Sequence, residues 1–430
     1  MTGLKFFPNN AKHVPLCPII RYELLCWLHI IAIIKNLTMS ILERIATTNN
    51  GTILEAIIKF VTSVEEYRRT SKGNFRHPLP DLLLLAILCK LDGRTHYADY
   101  VSFGKKYQVR LQNLFGILSK GVPSISTFSR MFQGIEHEGM SDKLKEFADR
   151  FRCLLADNEL KIISIDGKAT RGTTNENGRN PDILSAFDVN TGITLATEMC
   201  EKKSNELKAA PKLLAKVPLK GHIFTMDTMF NHREVIDPII EGGGFFVIEL
   251  KANQKDLFYN SSDRIKTTHS ISLHSEEATL EHGRIEERFT RVFRAEDLDV
   301  DPTKWSCVLR IIEVIVKTTD KRTNKETADR RLYISNLDVP ADVIGFIIRQ
   351  HWRIEINHWH LDRNFKQDQI KRKNDVAARN LDALLRLSMS SISIWKNLRR
   401  KNSDRNKGVA EILRMLRGSL TSIVKFLMQK

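Results

Sequence analysis

The hydrophobic pattern of this 430-residue chain changes period at residue 161, and that change limits the folds open to it. From 39 to about 156 apolar residues recur at helical spacing: ILEAIIKFVTSV (53–64), PLPDLLLLAILCKLDG (78–93) and SFGKKYQVRLQNLFGIL (102–118). GVPSISTFSRMFQGI (121–135) adds a helix that Ser124 or Ser126 would cap. After 161 short β-branched runs alternate with helical ones. KIISIDGKA (161–169) reads as a strand, ILSAFDVNTGITLATEMC (183–200) as a hairpin turning at Asn190-Thr191-Gly192, and SNELKAAPKLLAKV (204–217) as a helix. GHIFTMDTM (221–229) is a strand, NHREVIDPIIEGGG (231–244) a helix ended by glycines, and FFVIELKANQ (245–254) another strand. The order predicts an α/β fold, a mixed sheet flanked by helices, preceded by an all-α N-terminal module.

From about 256 to 337 the reading turns largely to strands: ERFTRVFRA (287–295), WSCVLRIIEVIVKTT (305–319) and RRLYISNL (330–337) form a β-rich insertion. Helix returns over 341–365 and 376–400. The expected organisation is a helical module over 39–156, a sheet domain over 157–400 and a basic C-terminal tail over 401–430. Residues 1–38 read as an extension upstream of an alternative start, because MSILERIA at Met39 opens like a natural amphipathic beginning. Within that extension Arg21, Glu23 and Lys35 confine the apolar run of 17–37 to Leu24–Ile34, too short to span a bilayer.

The formal charge of +16 and pI near 9.5 point to a polyanionic partner, with nucleic acid foremost. Residues 363–407 hold thirteen Lys or Arg against four Asp or Glu, more than half of the net excess in a tenth of the chain. Part of it, KNLRRKNSDRNK (396–407), suits either DNA phosphates or a solvated tail. The six cysteines are scattered with no Cys-x-x-Cys, which argues against a zinc ribbon or a disulfide scaffold and suits a reducing cytosol.

Asp166 and Asp227 each sit at the polar end of an expected strand, where open α/β sheets collect ligands. If those strands are neighbours, both carboxylates enter one cleft, with Lys168 and Arg171 beside it for phosphate. A third acid from a later helix would complete an oxygen cage for hard divalent cations. The alternative for either aspartate is a turn or helix cap. HWRIEINHWHLDRNF (351–365) places Trp352, Glu355, Trp359 and Asp362 on one helical stripe, which mixes large aromatics with acids. Glu355 is then a satisfied core acid, a member of a carboxylate cluster, or part of a zinc row with His351, His358 and Asp362 at i, i+4, i+7 and i+11.

Several blocks together resemble the DDE transposases of bacterial insertion sequences, in the branch that includes the H-repeat-associated proteins. They are HPLPDLLLLAILCKLDG, GVPSISTFSRMF, IDGKATRG (165–172), TMDTM (225–229), LKANQK (250–255), HGRIEER (282–288), RLYISNL and IRQHWRIE (348–355), spread from about residue 60 to 400. The resemblance implies an RNase H-like catalytic domain with a β-strand insertion before the last catalytic helix. It implies a catalytic triad of Asp166, Asp227 and Glu355 holding Mg²⁺, or Mn²⁺, for cleavage at element ends and transfer into target DNA. Trp352 and Trp359 would wedge the Glu355 helix against the sheet. The helical module over 39–156 is then the expected DNA-end-binding part and 157–400 the catalytic domain, and candidate DNA contacts are Lys168, Arg171, Lys251, Lys255, Arg353, Lys371, Arg372 and Lys373. The implied setting is the bacterial cytoplasm at the nucleoid, with DNA as partner, no membrane, and a homodimer or larger assembly. Two alternatives stand beside it: a transposase-derived DNA-binding protein without chemistry, and a zinc hydrolase. The chain departs from the family pattern at Thr228, at His232, and in IEINHWHLD, one residue short between the acid and Leu361-Asp362. A missing helical residue turns the rest of its helix by about 100°, so Asp362 is expected to be re-aimed.

Overall fold

The computed structural model describes residues 40–430 apart from 49, 72, 136, 156–159, 175–181, 201–205, 282 and 372–373. The expected extension over 1–38, with its apolar run, lies outside the described residues.

Five main helices build the N-terminal module: Ile53–Ser63, Leu79–Leu91, Tyr97–Phe115, Ile125–Gly134 and His137–Leu155. A short helix, Ile41–Thr47, precedes them and opens on a capping box made by Ser40 and Glu43. Leu79–Leu91 is the centre. Its residues 82–91 are buried on every side, which is why its sequence shows an apolar block rather than an apolar stripe. Ser124 caps Ile125–Gly134 by accepting from the Thr127 amide at 3.2 Å. Tyr97–Phe115 stops at Gly116, whose φ of 71° is left-handed.

Residues after 400, expected to be a basic tail, instead end in two amphipathic helices, Val409–Leu416 and Leu420–Leu427. They close over the module. The Tyr107 hydroxyl donates to the Gly418 carbonyl at 2.5 Å, and Asp92 accepts from the Gly418 amide at 2.6 Å.

The described residues form one nine-stranded sheet in the order β3-β2-β1-β4-β5-β9-β8-β7-β6. The strands are β1 Ile162–Ala169, β2 Asp182–Asp188, β3 Ile193–Met199, β4 Ile223–Met226, β5 Phe245–Leu250, β6 Ser272–Glu281, β7 Arg284–Arg294, β8 Arg310–Asp320 and β9 Glu326–Ser335. β1, β4 and β5 run parallel, and the rest pair antiparallel. The first five strands make the RNase H-like mixed sheet that the sequence implies. β6–β9 continue that same sheet, since β9 pairs with β5 from Val247↔Ser335 to Leu250↔Leu332.

Two details differ from the sequence reading. Lys255–Arg264 is a helix inside the segment expected to be strands, and β6 was not anticipated. That helix buries only Leu257 and Ser261, while β6 is an edge strand whose Leu273 and Leu280 are exposed. Neither therefore carries a strong apolar period. No helix among the described residues is long and apolar enough to cross a membrane.

The helix Asp375–Asn397 joins module to sheet. Asn380 donates to the carbonyls of Phe132 and Ile135 at 2.8 and 2.9 Å, and the Ser390 hydroxyl accepts from the Thr194 amide of β3 at 3.2 Å. Arg386 is fully buried against Asp382 at 2.7 Å, and Asp382 also accepts from Gln367 at 2.7 Å. Arg386 thus belongs to the interior, and the basic excess of 363–407 is not all surface charge.

Asp81, in the first turn of Leu79–Leu91, accepts from the Leu118 amide at 3.4 Å, but burial still pushes its carboxyl up to about 6. A carboxyl raised in the folded state favours folding fully below its ordinary value of 3.8, and that contribution is lost as pH rises through about 6. Asp81→Asn removes the titrating group. Melting temperatures followed from about pH 4 to about pH 7 should fall less steeply in the variant than in the parent.

Candidate active site

Parallel register brings the strand-end acids together. Ile165 of β1 pairs with Met226 of β4, and Met226 pairs with Ile248 of β5. One residue further on, Asp166, Asp227 and Glu249 therefore stand in a row across three adjacent strands, on the sheet face opposite that pair. Below them the buried Ser164 and Thr225 hydroxyls bond each other at 2.7 Å.

The helix Trp352–Arg363 crosses this face, and Glu355 lines the same cavity of about 190 Å³ as Asp166, Asp227 and Glu249. Lys251, Arg331, Tyr333, His351 and Trp352 complete much of its wall. Two histidines fix the helix. His351 Nδ1 lies 3.0 Å from Thr225 Oγ1, while buried His358 sits 3.4 Å from Asp166 Oδ2 through Nδ1 and 3.2 Å from Ser185 Oγ through Nε2. Burial pushes both imidazoles below their ordinary pKa, so they are neutral partners near pH 7. With those bonds made and Asp362 turned elsewhere, the zinc row is not assembled.

The tryptophans do not wedge the helix. Trp352 and Trp359 are 46% and 56% exposed, and Ile354, Asn357, His358 and Leu361 make the contact instead. Trp352 lines the cavity beside Glu355, whereas Trp359 is exposed outside it. The Arg331 guanidinium lies 5.8 Å from the centre of the Trp352 ring.

Negative charge is concentrated here. Glu355 is raised by burial and then by the charges of Asp166 and Asp227, with Arg331 opposing. Glu249 is raised by burial and by Asp227, although Lys251 Nζ sits 2.7 Å from it. Burial works against the Asp227 carboxylate, yet the Thr228 amide at 2.6 Å, then Glu249, Lys251 and His351, bring it below its ordinary value. Glu206 approaches from the helix Glu206–Leu214. Its carboxyl is pushed up to about 7 by burial and by Asp166, Asp182 and Asp227.

Among the described residues, no three His, Cys, Asp or Glu side chains converge tightly enough to ligate one ion. The donors nevertheless suit a hard divalent cation. They are oxygen atoms, half-buried, and their mutual repulsion helps to raise Glu355.

The expected DNA contacts divide. Lys251 reaches the cavity, 3.7 Å from Asp227. Lys168 does not contact solvent as expected: it is buried, bonded to Asp362 at 2.8 Å and near Asp368 at 3.5 Å. That pairing is also where Asp362 has been aimed. Arg171 is exposed, its amide donating to Asp368 at 3.0 Å. Arg353 precedes Glu355 by two helical positions, hence on the far side, with Asp188 and Lys396 as its charged neighbours. Lys255 and Lys371 are exposed outside the cavity, and Arg372 and Lys373 lie outside the described residues.

Sequence reasoning missed Glu249, Arg331, Tyr333 and Glu206. Glu249 carried a signal, being an acid near the end of the apolar run FFVIEL much as Asp166 and Asp227 end theirs. Arg331 and Tyr333 enter through β9, which no local pattern places beside β5.

The chain belongs to the Transposase DDE domain family, whose model matches residues 158–390. Residues 58–148 match the DDE_Tnp_1-associated family. The Escherichia coli K12 proteins "Putative protein YbfL" and "H repeat-associated putative transposase YhhI" are each 26% identical over 376 residues, 82% of this chain and 96% of each relative. "Putative transposase YncI" of E. coli O157:H7 is 24% identical over 83% of this chain and 92% of its own length. A solved piggyBac transposase synaptic complex with hairpin DNA is more remote, with TM-score 0.39 and 12% identity over 89% of this chain and 80% of that one.

Gly172, the last residue of IDGKATRG, sits where a side chain has no room. A Cβ there would lie 2.7 Å from the backbone oxygens of both Asp368 and Ile370. Backbone cannot swing aside as a side chain does, so Gly172→Ala should destabilise by about 1–3 kcal/mol. Chemical denaturation of the two proteins checks this through a lower midpoint at unchanged slope.

Proposed function

We propose that the chain is a DNA transposase that cuts at the ends of an insertion element and joins them to target DNA. The observation that carries this reading is the row of Asp166 and Asp227 on neighbouring parallel strand ends, facing Glu355 across one cavity with cationic side chains on its wall. Asp166, Asp227 and Glu355 are the residues that would hold Mg²⁺ or Mn²⁺. Such ions supply Lewis-acid stabilisation of a phosphoryl group under attack and lower the pKa of the attacking water or 3′-hydroxyl.

The protein's own groups have separate tasks. Lys251 and Arg331 bind non-bridging phosphate oxygens and hold the scissile linkage against the carboxylate row. His358 and Ser185 orient Asp166, and His351 ties the Glu355 helix to β4. Neutral histidines at these points steady the carboxylates without drawing off their charge. In the first reaction water breaks the phosphodiester, leaving a 3′-hydroxyl and a 5′-phosphate. In the second that hydroxyl attacks a target phosphodiester, and the displaced 3′-oxygen leaves with the other target fragment. One bond forms for each that breaks, and no covalent link to protein is needed. Joining both element ends in one event calls for at least two active centres, hence a dimer or larger complex.

Asp166→Asn and Glu355→Gln keep side-chain volume while removing a charged ligand. Each should reduce Mg²⁺-dependent nicking of a duplex taken from the DNA that flanks the gene by about a hundredfold or more, several kcal/mol at the barrier. Duplex affinity should stay within a few-fold. Unchanged nicking by both variants, or an equal loss of binding, would overturn these roles.

A further inference from the structure

A second recess, of about 740 Å³, opens in the N-terminal module between residues 67–69, residues 74–77 and the start of the helix Ile125–Gly134. Its frame is rigid. Arg68 makes a two-pronged pair with Glu66 at 2.6 and 2.7 Å and donates to the His77 carbonyl at 2.8 Å. Its guanidinium lies 5.2 Å from the Phe75 ring centre and 5.8 Å from that of Tyr67. The Tyr67 hydroxyl donates to the Arg130 carbonyl at 3.0 Å, and the ring fills the space a side chain at Gly134 would need. Arg68 is therefore spent on structure.

Three other arginines are not. Arg69, Arg76 and Arg130 line the recess, all are exposed, and among the described residues none is ion-paired to a carboxylate. Among the described residues no Asp or Glu lines it. Lys120 stands at the edge, its ammonium 3.5 Å from the Phe75 carbonyl. The crowding registers on His77, which burial and then Arg68, Arg76 and Lys120 push below its ordinary pKa. Like charges gathered round one hollow repel unless an anion joins them. Guanidinium groups spread over a wide, open recess, with the Tyr67 and Phe75 rings between them, suit a run of phosphates rather than one small ion.

We propose that this recess is a DNA-binding site that grips the backbone of a duplex through Arg69, Arg76 and Arg130, apart from the carboxylate cavity. The proposal deepens the transposase reading and rests on it for the identity of the polyanion. The contacts go to phosphate, so they fix where the duplex lies and carry no base preference of their own.

The test compares the full chain with a triple variant, Arg69→Gln, Arg76→Gln and Arg130→Gln. A control triple at exposed positions on β7, its end and the β8–β9 turn, Arg284→Gln, Arg294→Gln and Arg322→Gln, removes the same net charge. Fluorescence anisotropy over a salt series would use two duplexes of about 30 base pairs, one taken from the DNA that flanks the gene and one with that sequence scrambled. The recess variant should lose about tenfold or more in affinity on both duplexes. Its slope of log affinity against log salt should be shallower by about 2–3, near 0.9 for each phosphate no longer gripped. The control should stay near the parent, and all three proteins should melt alike. A recess variant that binds like the parent, or a control that loses as much, overturns the site while leaving the transposase reading intact. A parent chain that binds neither duplex overturns both.

Discussion

The parallel pairing of β1, β4 and β5 is the constraint on which the site depends. Strands in a parallel ladder keep a common level, so residues at matching register share a face and a height. Asp166, Asp227 and Glu249 inherit their proximity from that ladder and not from any local turn. A slip of one residue between β1 and β4 would send one aspartate to the opposite face, among Ile165, Met226 and Ile248. The buried Ser164–Thr225 hydroxyl pair holds that register from within, and Thr225 also receives His351. One hydroxyl thus links strand pairing to the placement of the Glu355 helix.

Much of this was legible in the sequence, for identifiable reasons. The change of period at 161, the order of strands and helices, and the acids at strand ends are local signals that survive without coordinates. The resemblance supplied what locality cannot, that β1 and β4 are neighbours and that Glu355 returns to them from a distance of more than a hundred residues. The errors came where pattern and burial part company. The resemblance implied that Trp352 and Trp359 wedge the Glu355 helix, yet both are exposed on its outer side, where Trp352 lines the cavity with Glu355. Lys168 was read as a free cation because it adjoins Asp166. Its side chain passes instead into the pocket of Asp362 and Asp368, which no sequence spacing announces. Glu249 was overlooked although FFVIEL ends as the other two site strands do.

Charge is handled in different ways along the chain. Buried cations such as Arg386 and Lys168 face dedicated carboxylates, where the loss of one partner would strand the other in a poorly solvating interior. On the walls of the two recesses, Arg69, Arg76 and Arg130 have no such carboxylate among the described residues, and Lys251 shares its charge between Asp227 and Glu249. Net charge alone did not separate these populations.

β9 joins β5 within one continuous sheet, so Arg331 and Tyr333 are mounted on the same plate as the carboxylates they overlook. A wall carried on a separate lobe could swing out to admit a wide substrate and close again behind it. Here such a movement would break backbone ladder bonds from Val247 to Leu250. The mouth of the cleft is consequently of set width along that side, and accommodation falls to side chains on the facing helix and to the polymer that enters. A double helix of the kind proposed as substrate would have to present its strand to this opening by bending, fraying or arriving end-on, because that wall would not reshape itself around the helix.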